Sequence, residues 1–218
     1  MMIEDKSHGM PRWVRKLLIP ALIGGVAGFA ASSAMMYFLD SETVGGLSAS
    51  ATIASLIGVL YAVIGLVIAI GVASPQLGAR FLNVEDADEL REQKRMLGFS
   101  GAAMLLWGVS LIALALAAPD GPVPAMVALV IGGGGLVAGA VLSFAVYRSS
   151  DELMRAINLE AGALGYGLIL LIVGIWAMLA HLGYTVAPAP LELLSLFYVL
   201  VLAASFIIVG RRGMLAPR

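Results

Sequence analysis

Residues 49–73 read ASATIASLIGVLYAVIGLVIAIGVA, and residues 74–96, which follow directly, read SPQLGARFLNVEDADELREQKRM. The first stretch has no charged residue and the second has nine. A helix rises ~1.5 Å per residue, so the first stretch is long enough to cross a ~30 Å hydrocarbon core. The second carries far too much charge to enter one. The same switch recurs along the chain, with apolar runs at 17–39, 49–73, 97–118, 123–147, 161–180 and 191–210. None contains Asp, Lys or Arg, and only Glu192, at an edge, is acidic. Of the 218 residues 61% are hydrophobic and 12% charged, against about half and a quarter in soluble domains. The pattern predicts an all-α membrane protein: a bundle of six transmembrane helices built from three helical hairpins. Residues 1–16 and 211–218 form polar tails around a 17–210 membrane domain, and 74–96 and 148–160 form the two charged loops.

All thirteen Lys and Arg fall on one side of this alternation. Lys6, Arg12, Arg15 and Lys16 precede the first run. Arg80, Arg91, Lys94 and Arg95 lie between the second and third. Arg148 and Arg155 lie between the fourth and fifth, and Arg211, Arg212 and Arg218 follow the sixth. Short loops rich in Lys and Arg stay cytoplasmic, which predicts both termini inside. The inner side then carries thirteen bases against ten acids, and the outer side only Asp40, Glu42, Asp120 and Glu192. That modest positive face suits anionic lipid headgroups and is too weak for nucleic acid. The first apolar run exceeds the 7–15 residues of a signal-peptide core, so it is expected to be retained as a helix. Trp13, just before it, suits an interfacial anchor.

The 74–96 loop divides further. Ser74-Pro75 ends the second span, because proline cannot continue a helix from behind. Residues 76–82 read as an interfacial segment with Phe81 and Leu82 toward lipid, and 83–96 as a charged helix running into the third span. Asp86 and Glu89 have capping-box spacing, and Asp88–Arg91 and Glu92–Arg95 are i,i+3 pairs. The 148–160 loop repeats the design, with Ser149 three residues before Glu152 and Asp-Glu-Leu at 88–90 and again at 151–153. Each repeat leads into an apolar run that ends in a proline pair, Pro122/Pro124 and Pro188/Pro190. Spans 3–4 and 5–6 therefore read as two copies of one hairpin in the same orientation, unless both loops merely share the capping chemistry that any helix entering a membrane needs.

Small residues recur at four-residue spacing at Gly24/Gly28/Ser32, Ala54/Gly58/Ala62 and Gly135/Gly139/Ser143. Such stripes let helices approach closely, either within the bundle or in a homo-oligomer. The run 132–135 is read as a tight crossing rather than a hinge.

Chemistry is sparse. With no Cys, disulfides, thiolate metal sites and iron–sulfur clusters are excluded. His8 and His181 are expected on opposite faces of the membrane, which argues against a haem or metal pair. No base can reach a mid-membrane serine, and no glycine run has phosphate-loop context. No ionisable residue is expected at mid-depth; Glu160 reads as a first-turn residue of span five and Glu192 of span six. No catalytic, cofactor or metal residue is assigned, and the chain is read as non-enzymatic.

The segment 80–98, RFLNVEDADELREQKRMLG, with 151–155, DELMR, and 210–215, GRRGML, resembles a group of uncharacterised bacterial multi-pass inner-membrane proteins of unknown function. The resemblance covers most of the chain. It implies a bacterial inner-membrane location and no substrate. Two functional readings stand. In the first, the protein is a scaffold or regulator whose partner, a membrane or cytoplasmic protein or a second copy, contacts Asp88, Glu89, Arg91, Glu92, Asp151, Glu152 and Arg155. In the second it is a small permease or efflux protein for a neutral or lipophilic solute. A polar cavity reaching mid-membrane, lined by Ser55, Tyr61, Ser100 or Tyr166, would favour the second, and a dry bundle the first.

Overall fold

The computed structural model describes residues 12–41, 47–81, 87–117 and 121–214, with the side chains of 12–21, 23, 80, 81 and 87 outside that set. The expectations placed on Trp13, Phe81, Leu82 and Asp86 therefore lie outside the described residues. The described residues form eight helices: α1 (Arg12–Leu39), α2 (Ala49–Ala73), α3 (Pro75–Phe81), α4 (Ala87–Glu92), α5 (Lys94–Ala115), α6 (Ala125–Ser149), α7 (Glu152–His181) and α8 (Pro190–Arg211). No strand occurs among the described residues. Five helices, α2, α5, α6, α7 and α8, are long and apolar enough to cross a membrane, and the described apolar stretch of α1, Gly24–Leu39, is shorter.

Local chemistry sets the helix ends. Ser48 caps α2, its Oγ accepting from the Ala51 N–H at 3.2 Å. Pro75 then opens α3 as its first residue, where a missing N–H costs nothing. The short helix folds back so closely that a Cβ on Gly78 would lie 2.6 Å from the Gly71 carbonyl oxygen. Leu90 of α4, with no exposed surface, packs over the same glycine. The described residues of the 74–96 loop are thus mostly helical and folded down onto the end of α2. The charged helix does not run unbroken into the third span: it turns at Gln93 before α5 begins.

The second charged loop is shorter than expected, because α7 begins at Glu152 and only Ser150 and Asp151 separate it from α6. With 30 residues, α7 is about 45 Å long. It outreaches a ~30 Å core and carries its charged first turns beyond the hydrocarbon. Its cap is Asp151, whose Oδ1 accepts from the Met154 N–H at 2.7 Å. The expected cap, Ser149, instead ends α6 and donates to the Ala145 carbonyl at 2.9 Å. At the other end Gly183 takes φ +78°, a left-handed conformation glycine adopts without strain, and the Tyr184 N–H closes on the Leu179 carbonyl at 2.9 Å. Glu192 does sit in the first turn of α8, accepting from the Ala189 N–H at 2.8 Å.

Packing centres on α5, which lies against α2 and α6 and touches α8, while α7 packs chiefly on α8. The closest approach is between α2 and α5. A Cβ on Gly58 would lie 2.8 Å from the Gly108 carbonyl oxygen, and one on Gly65 2.6 Å from that of Gly101. Removing the side chain there lets the backbones meet and supplies van der Waals contact, which drives helix association in lipid. The expected stripe of α6 packs on α5, Gly135 on Ser110 and Gly139 on Trp107; of the 132–135 run, Gly132 and Gly135 form the crossing, while Gly133 and Gly134 meet nothing within 4 Å. The α1 stripe does not: a Cβ added at Gly24 or Gly28 would meet nothing within 4 Å. The strongest pairing joins α2 to α5 rather than following the hairpin order. Outward faces are apolar, with Val130, Val137 and Leu170 all exposed, as a lipid-facing surface requires.

Candidate functional site

Because α7 leans on α8 and barely touches α6, a cleft remains between the α5–α6 and α7–α8 pairs. Its volume is about 370 Å³, and its wall holds Ser100, Ala103, Met104, Trp107, Ser143, Val146, Tyr147, Asn158 and Ser205. That is the size range of small-ligand pockets. Six of these nine side chains carry a polar atom and none carries a charge. A second cavity of about 370 Å³ shares Asn158 and Ser205 with the first and extends along α7 past Tyr166. Ser100 lies six residues into α5 and Trp107 thirteen, so the cleft runs from ~9 to ~20 Å along a helix of ~33 Å.

The polar groups of the wall differ in what holds them. Ser205 donates to the Val201 carbonyl of its own helix at 2.9 Å. Ser100, Ser143 and Asn158 make no side-chain hydrogen bond with any described residue. Asn158 lies in the part of α7 that precedes its apolar run, and Ser100 and Ser143 lie about one turn inside theirs, so all three groups are available to a ligand or to water entering the cleft from the charged end.

Beyond Trp107 the bundle closes. Tyr61 Oη donates to the Tyr198 carbonyl at 2.7 Å and Tyr198 Oη to the Trp107 carbonyl at 3.2 Å. Trp107 Nε1 in turn donates to the Leu136 carbonyl at 3.4 Å. The Tyr61 and Tyr198 rings meet edge-on at 4.9 Å between centroids, and Trp107 and Tyr198 at 6.5 Å. One relay of side-chain-to-backbone bonds thereby ties α2, α8, α5 and α6 together. Tyr61 is 3% exposed, so it belongs to this plug and not to a cavity wall; Ser55 is buried likewise and bonds the Thr52 carbonyl at 2.8 Å. Ser195, one turn before Tyr198 and 3% exposed, has a buried hydroxyl with no partner.

The residues expected to contact a partner gather at the charged end in two sets. Asp88 pairs with Arg91 as expected, and Glu89 accepts from Gln93 Nε2 at 3.1 Å. Glu92 and Arg95 do not pair, because the turn at Gln93 breaks the helical register between them. Asp151 is taken up in capping α7. Arg155 lies over the Tyr147 ring at 5.5 Å and donates to the Ser150 carbonyl at 3.4 Å. Glu152 is exposed. The sets approach each other through Ser150, whose Oγ is 3.7 Å from Met96 Sδ. Glu160 is not a first-turn residue. It stands two turns into α7 and pairs with Arg212 just past α8, a partner 52 positions away. Among the described residues no cluster of His, Asp and Glu could hold a metal, and His181 is exposed at the far end of α7.

No family model, curated protein or solved structure matches this chain.

Proposed function

We propose that this chain is a small, non-enzymatic permease for a neutral, lipophilic or weakly polar solute, which it holds in the cleft between α5–α6 and α7–α8. In this reading α1 supplies a sixth span and both termini lie in the cytoplasm, as the one-sided distribution of Lys and Arg supports. The resemblance of 80–98 to uncharacterised bacterial proteins supports an inner-membrane location. The observation that carries the function is an uncharged cleft that runs past the middle of α5, with three polar side chains toward its charged end, Ser100, Ser143 and Asn158, that bond to no described residue. A charged solute would need a compensating charge in that wall, and the wall has none. The relay at Trp107 and Tyr198 forms the closed side of an inward-facing state.

The scaffold reading keeps a narrower footing. Asp88, Arg91, Glu92 and Glu152 are exposed on the charged end and present mixed charge to the cytoplasm, whereas Asp151 and Arg155 already serve the α6–α7 turn. A thermal-shift screen of neutral lipophilic compounds against purified protein separates the two readings. Compounds that stabilise the wild type and not Ser205→Trp, which fills the cleft, support transport. A screen without hits, together with partner capture that charge reversal at Asp88 abolishes, supports the scaffold.

A further inference from the structure

Arg95 and Arg148 line one pocket of about 280 Å³ at the charged end, between α5 and α6, with Ala145 and Ser149. Each guanidinium lies over a phenylalanine ring one turn deeper in its own helix, Arg95 over Phe99 at 5.6 Å and Arg148 over Phe144 at 5.9 Å. The two helices run antiparallel, so the pocket brings the two cations together at the charged end, with Phe144 beside it on the exposed face and Phe99 on the side of a neighbouring pocket. Neither arginine forms an ion pair with a described residue. The acids nearest in sequence are not paired with them: Glu92 lines a neighbouring pocket on the other side of Arg95, with Val72 and Phe99, and Asp151 caps α7.

Arg95 is also badly placed for the helix that bears it. It stands in the first turn of α5, which has no acid and no side-chain cap, where the helix dipole disfavours a cation. Two cations thus converge on one small space in which neither is ion-paired to a described carboxylate. Phe144 is exposed to the surroundings of the bundle, so a ligand seated there continues onto the lipid-facing surface.

We propose that this pocket binds one anionic phospholipid, its phosphate between Arg95 and Arg148 and its acyl chains along the exposed Phe144. Guanidinium groups hold phosphate oxygens through paired N–H donors, and the Phe144 ring supplies the apolar contact that free phosphate lacks. The site is separate from the solute cleft and does not depend on it.

The test is native mass spectrometry of the full chain released from nanodiscs of phosphatidylcholine doped with phosphatidylglycerol. Wild type should retain one phosphatidylglycerol in preference to phosphatidylcholine. Each arginine near a membrane surface contributes about fivefold in affinity for an anionic lipid, so R95Q/R148Q should lose about 30-fold. R211Q, which removes a cation outside the pocket, should change retention less than twofold. If the double variant does not yield folded protein, R148Q alone carries the test, with about fivefold loss expected. Equal retention by wild type and the arginine variants overturns the proposal. So does a loss in R211Q as large as that in R148Q, which would assign the preference to diffuse charge. Displacement of the lipid by millimolar inorganic phosphate would identify a free-phosphate site and overturn it too.

Discussion

Gly108→Ala tests the crossing on which the bundle is built. An added Cβ would lie 2.5 Å from both the Gly58 carbonyl oxygen and the Ala62 amide nitrogen. Both are backbone atoms on a facing helix, so no side chain can rotate away. Ordinary contact begins at 3.4 Å, and α2 and α5 must part by roughly 1 Å to restore it, which forfeits a quarter to a half of the dispersion energy of each affected contact. Overpacking of this kind costs about 1–3 kcal/mol. Against it stands the gain of up to about 1 kcal/mol from replacing helical glycine by alanine. The expected net loss is up to about 2 kcal/mol. Gly174→Ala isolates the opposing term, since nothing lies within 4 Å of a Cβ there, and should be neutral or stabilising. Unfolding by sodium dodecyl sulfate titration in mixed micelles, followed by circular dichroism, measures both. Equal stability of Gly108→Ala and Gly174→Ala would refute a backbone crossing at Gly108.

Three further outcomes follow from the same geometry. Tyr61→Phe keeps the ring contact with Tyr198 but removes the 2.7 Å hydrogen bond; in the same titration it should cost about 0.6 kcal/mol and no more than about 1.7. Ser195→Ala should raise stability by about 1 kcal/mol, because it removes a buried hydroxyl with no partner; a loss would reveal a bond to this serine. Asp151→Ala should lower stability by about 1 kcal/mol through loss of the α7 cap, and Asp151→Asn should restore most of it.

Much of this architecture was written into the chain, and the part that was not has a physical reason. Helix lengths and the side on which each charge lies follow from local composition, because lipid tolerates neither unsatisfied backbone nor unpaired charge. Five spans appear where apolar runs stood, though α7 extends nine residues before its run, since a polar sequence with good helix formers continues a helix as readily as a loop. Choice between neighbouring caps was finer than the pattern resolves: Ser149 and Asp151 both suit an N-cap, and Asp151 takes the role because Ser149 bonds back into α6. Four-residue spacing of small residues marks Ala54 and Gly58 but not Gly65, Gly101 and Gly108, which meet across α2 and α5 at seven-residue spacing. The cleft was legible only through Ser100 and Tyr166. Asn158 and Ser205, where its two cavities meet, carry no periodic signal, and their proximity depends on how loosely α7 sits against α6. The Glu160–Arg212 pair is likewise a product of tertiary packing between distant positions.

The chain has no native cysteine, so Ser143→Cys places a single thiol in the cleft wall without background. Labelling with a membrane-impermeant maleimide, in inside-out and right-side-out vesicles, asks directly whether the cleft is an open, inward-facing solute site. Ser143→Cys should react from the cytoplasmic side only and be protected by a compound that stabilises the protein, while Ser110→Cys, fully buried between α5 and α6, should stay unreactive. A Ser143→Cys thiol that resists labelling from both sides would contradict the solute site.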